Sequence, residues 1–102
     1  MKVGIVNFTP STIIETFAAG TIRAEAQAVT MVEADLGAIA GLRFFRKLLV
    51  VPEETAKKLD KAISAKGAVF EDVVSKNSQL VKARQIMEDP DVGTPVSWET
   101  LS

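Results

Sequence analysis

Apolar and polar positions alternate with two different periods along this chain, and the two compete over its first forty residues. Met1 to Phe8, MKVGIVNF, is apolar and β-branched and predicts a short strand or an extended arm. The next residues, up to Thr12, mark a boundary. Thr9 suits a helix N-cap and Pro10 the first helical position, with Ser11 and Thr12 as further caps. From Ile13 to Gly41, steps of three or four collect Ile14, Ala18, Ile22, Glu25, Val29, Val32, Leu36 and Ile39 on one face. Glu25 is its single intruder. That is the stripe of an amphipathic helix. The stretch is also rich in Ala and Gly, which let two backbones approach closely. Within it, Ile22, Ala24, Ala26 and Ala28 alternate with Arg23, Glu25 and Gln27, the period of a half-buried strand. Ala, Glu and Gln favour helix over strand, so propensity decides for the helix, with Ile22–Val32 as a strand the alternative. Gly20 costs roughly 1 kcal/mol inside a helix and is the point at which the stretch would split.

Gly37 and Gly41 form a G-x-x-x-G spacing. Without a lipid setting it reads as the fraying end of the helix, with Gly41 as C-cap. Leu42 to Val51, LRFFRKLLVV, ends before Pro52, which biases Val51 towards extended backbone; a strand over Phe44–Val51 is expected. Pro52 to Lys66 is the clearest helix: Pro52, Glu53 and Glu54 open it, Gly67 stops it, and Ala56, Leu59 and Ile63 form its apolar stripe. Ala68 to Val74 reads as a strand or as the first turns of a last helix. Ser75 to Glu88 reads as that helix, with Leu80, Ala83 and Met87 on one side, until Asp89-Pro90 ends it. Continuing the stripe back through Val73 gives one helix from Phe70. Residues 89–102 read as an extended tail carrying Trp98, an anchor either for this chain's own core or for a neighbouring subunit.

The elements sum to a mainly α fold with short strands (α+β), at Lys2–Phe8 and Phe44–Val51: one small domain over residues 1–88, with an extended segment 1–9 and the tail 89–102. The length of 102 residues allows one core, and with few aromatics that core is built from Val, Ile, Leu and Ala. So much small aliphatic surface on so short a chain gains by burial against copies or a partner.

Chemistry is limited by what is missing. There is no Cys and no His, which removes disulfides, the usual zinc sites, Cys nucleophiles and His-based triads. Neither a signal peptide nor a spanning helix is predicted, which leaves cytoplasmic synthesis or an assembled particle as the expected location. The adjacent acids Glu53-Glu54 and Glu71-Asp72, and the pair Glu33 and Asp35, suit helix starts or surfaces better than acid–base work. The loop after the first strand lacks the glycines of a nucleotide-binding fingerprint. No catalytic, cofactor or metal-binding residue is assigned.

Charge is segregated. Residues 1–42 carry two cations against four acids, residues 43–84 ten against five, and residues 85–102 four acids alone. A basic middle and an acidic end can attract each other within one chain or between copies. The reading is therefore a non-enzymatic structural protein, a self-associating or scaffold-binding subunit of a virion, shell or filament. Its expected interface comprises Ile14, Ala18, Ile22, Val29, Val32, Leu36, Ile39, Phe44, Phe45 and Trp98. The alternative is a small nucleic-acid-binding accessory protein using Arg43, Arg46, Lys47, Lys57, Lys58 and Lys61, which a net charge of −1 disfavours. A regulatory subunit of a larger complex is the third reading.

Overall fold

The first strand, β1 (Lys2–Asn7), is the middle of an antiparallel three-stranded sheet in the order β4–β1–β5, with β4 at Ala28–Glu33 and β5 at Leu48–Pro52. The structure is a computed structural model, and it describes residues 1–18, 20–45, 48–88 and 98, the side chains of residues 42–45 excepted. Between β1 and β4 the chain forms a separate hairpin, β2 (Ile13–Phe17) and β3 (Gly20–Ala24). Among the described residues four helices complete it: α1 (Leu36–Phe45), α2 (Glu53–Ser64), α3 (Phe70–Ser75) and α4 (Ser78–Glu88).

The pleat of β1 divides the interior in two. Val3 and Ile5 point to one side, together with their cross-strand partners Val32 and Val50. There they meet Ile22 and Ala24 of the hairpin and Ala38 and Ile39 of α1. Gly4 and Val6 point to the other side, beside Val29, Leu49 and Val51, under Ala56 and Leu59 of α2, Phe70 and Val74 of α3, and Leu80 and Ala83 of α4. A strand buried on both faces loses the apolar–polar alternation, which is why Val3 to Val6 carry no polar side chain. Gly4 is a requirement of this packing: any side chain there would run into the Cβ of Ala56, so its absence lets α2 lie close on the sheet.

The fold is therefore α+β, and the mainly α assignment is corrected. The expected helix over residues 13–41 is replaced by β2, β3, β4 and the first part of α1. Tertiary burial overrides helix propensity here: Ile22 and Ala24 are buried on one side of β3 while Thr21 and Arg23 are exposed on the other. Gly20 begins β3 at φ +144°, a backbone angle that suits glycine, so it belongs to a hairpin and not to a helix interior. The alternative strand over Ile22–Val32 is also not continuous. It breaks at a turn in which Gln27 takes φ +48° and its N–H donates to the Thr9 carbonyl at 3.2 Å. No helix starts at Thr9-Pro10. The Thr9 hydroxyl and N–H both donate to Asn7 Oδ1, at 2.7 and 3.0 Å, closing a local turn in place of a cap.

Further along, α1 begins one residue after Asp35, whose Oδ1 accepts the Ala38 N–H at 2.7 Å, an N-cap bond. The helix runs through Gly41, so Gly41 is not its end: the Phe17 ring lies where a side chain at Gly41 would be, 2.6 Å from such a Cβ. Phe44 and Phe45 are consequently the last turn of α1 and not the start of a strand, and β5 begins at Leu48. The helix expected over Pro52–Lys66 forms as Glu53–Ser64: Pro52 closes β5 and stands at the N-cap, Glu53 and Glu54 lie in the first turn, and Lys66 and Gly67, the latter at φ +80°, lie beyond its end. The last helical stretch is not one helix from Phe70. It breaks into α3 and α4 because Asn77 caps a new start, accepting the Leu80 N–H on Oδ1 at 3.1 Å.

Candidate contact surface

The residues expected to form one helical stripe are dispersed over the fold. Ile22, Val29 and Ile39 are buried in this chain's own core, and Val32 is half-buried against it. Trp98 is also buried, at 8% exposure, in the cluster that holds Val6, Leu49, Phe70 and Leu80. Of its two readings, packing within the chain is therefore the one seen; the rest of the tail, 89–97 and 99–102, lies outside the described residues. The side chains of Phe44 and Phe45 lie outside them too. What stays at the surface is Ile14 at 52% exposure, Ala18, and Leu36 at 72%.

The hairpin and α1 explain that exposure. Ile13 and Phe17 of β2 turn towards the sheet and pack with Ile22, Ala24 and Ile39. Ile14 then necessarily turns outward, opposite Arg23, with Thr16 opposite Thr21 beside it. The two threonine hydroxyls lie 3.3 Å apart. On α1, Ala38 and Ile39 are buried while Leu36, Gly37 and Ala40 are exposed, so the outer side of this helix begins apolar and small. Both elements thus form one layer on the same side of the sheet, with an apolar residue left outside on each.

The cationic candidates divide similarly. Lys57, Lys58 and Lys61 are exposed on α2, which also carries Glu53, Glu54 and Asp60. Lys57 pairs with Glu53 at 3.2 Å, an i,i+4 surface pair of small energetic weight. Arg46, Lys47 and the side chain of Arg43 lie outside the described residues.

Three of the acids singled out in the sequence, Glu33, Asp35 and Glu71, make hydrogen bonds that tie elements together or cap one. Glu33 accepts a hydrogen bond from the Met1 ammonium at 2.7 Å, which holds its carboxyl below the usual range. Asp35 caps α1. Glu71 Oε2 accepts from Arg84 Nη1 at 2.7 Å, and the Arg84 guanidinium lies 6.0 Å from the Phe8 ring centre, itself tilted against Phe70. Sequence reasoning noted Glu25 only as an intruder on the helical stripe and missed its pairing. It accepts from Arg23 Nε at 2.6 Å and more weakly from the Thr12 hydroxyl at 3.4 Å, and the Arg23 bond is the main reason its carboxyl lies below the usual range. The signal was the i,i+2 spacing of Arg23 and Glu25, which puts both on one face only if the segment is extended.

A cleft of about 240 Å³ opens between the loop after β1 and α4, lined by Phe8, Thr9, Pro10, Arg84, Met87 and Glu88. Among the described residues no group of three or more Asp or Glu is placed to hold a metal ion, and no helix is long and apolar enough to cross a membrane. Comparison with protein-family models, curated proteins and solved structures returned no match.

Proposed function

We propose that this protein works by contact: it is a non-enzymatic assembly domain that associates with copies of itself, as a subunit of a larger particle such as a virion, shell or filament. The observation that carries this reading is the outer side of the hairpin–α1 layer. Ile14 and Leu36 are left largely in water there while both faces of β1 are already covered. The small residues Gly37 and Ala40 beside Leu36 allow a second backbone to come close. The nucleic-acid reading has less support, because the exposed lysines of α2 share their helix with three acids.

Sedimentation velocity over a wide range of protein concentration tests the proposal. The mass is expected to rise with concentration, and a double substitution Ile14→Glu and Leu36→Glu to hold the protein as a monomer with an unchanged circular dichroism spectrum. A wild-type chain that stays monomeric at the highest concentration overturns it. So does an association that the double substitution leaves intact.

A further inference from the structure

We draw no further inference here: the strongest candidate, the cleft between the loop after β1 and α4, has its one cation, Arg84, already bonded to Glu71 and a second carboxylate, Glu88, in its wall, and nothing in the structure shows what covers its apolar side at Phe8, Pro10 and Met87.

Discussion

At the end of β1 a single amide joins three parts of the chain. Asn7 is fully buried; its Nδ2 donates to the carbonyls of Ser11 and Ala24, at 2.9 and 3.2 Å, and its Oδ1 accepts from Thr9. Every hydrogen-bonding position of the side chain is therefore used, which is the condition under which a buried polar group stabilises. Asn7→Ala takes the partner from the buried Ala24 carbonyl and from the Thr9 N–H, while the Ser11 carbonyl keeps the Thr9 hydroxyl at 3.0 Å, and it is expected to cost about 1–3 kcal/mol. A fall in the urea midpoint at unchanged slope measures it. Asn7→Asp is not a rescue, because a carboxylate accepts from Thr9 but cannot donate to the two carbonyls. Glu25 makes a different kind of prediction. Its carboxyl titrates below its ordinary value of 4.5, held there first by the Arg23 hydrogen bond. A depressed folded-state value means the contribution is fully present above pH 4.5 and is lost as pH falls through the lower folded value. In side-chain NMR the Glu25 midpoint should lie below 4.5 and return towards it in Arg23→Ala. If the two midpoints coincide, the bond is not populated in solution.

Among the elements, those set by local chemistry were legible and those set by tertiary contacts were not. The helix after Pro52 needed only its proline, its two leading acids and Gly67, all close by in sequence, and it formed within the expected range, as Glu53–Ser64. Strand β1 was legible because burial on both faces leaves an unbroken apolar run. The hairpin was not, because Ile14, Ala18 and Ile22 match a helical spacing by coincidence and Ala24 and Gln27 have helical preferences; only the sheet beneath them makes alternation the lower-energy choice. The proposed contact surface was legible only as far as that spacing allowed. Ile14 and Leu36 remain candidates because they are exposed, while Ile22 and Ile39 turn inward. The break between α3 and α4 was present in the sequence as Asn77 followed by Leu80 but was outweighed by the continuing stripe from Phe70. Asn77→Ala is expected to cost about 1 kcal/mol through the lost cap. For a domain near 100 residues that lowers Tm by about 4–8 °C. Asn77→Asp or Asn77→Ser should recover most of it. An equal loss in all three would mean that Asn77 acts through packing and not through the Leu80 N–H.

For the molecule as a whole, Trp98 tests whether one chain completes its own core. It lies far along the sequence from Val6 and Leu49 yet belongs to their cluster, with Ile86 and Met87 of α4 packed against the same group. Burial of the one tryptophan predicts blue-shifted emission in the native state and a red shift on unfolding. Trp98→Ala removes the largest side chain in the chain and is expected to cost about 3–5 kcal/mol, by analogy with other aromatic truncations in cores. Against a total of about 5–15 kcal/mol for a domain, that is enough to make the variant marginal. Packing within one chain has a further consequence that separates it from docking on a neighbour. A unimolecular contact gives a fluorescence unfolding midpoint independent of protein concentration, whereas a contact between copies raises the midpoint as concentration rises. Urea titrations of the Ile14→Glu, Leu36→Glu double variant at two concentrations well apart, followed by Trp98 emission and by circular dichroism, should therefore give superimposed Trp98 curves. Assembly through the hairpin and α1 would shift both probes together at high concentration, and the Ile14→Glu, Leu36→Glu double variant removes that contribution. A concentration-dependent Trp98 midpoint persisting in the double variant would place the indole in a neighbouring subunit and would require a core that is closed only in the assembly.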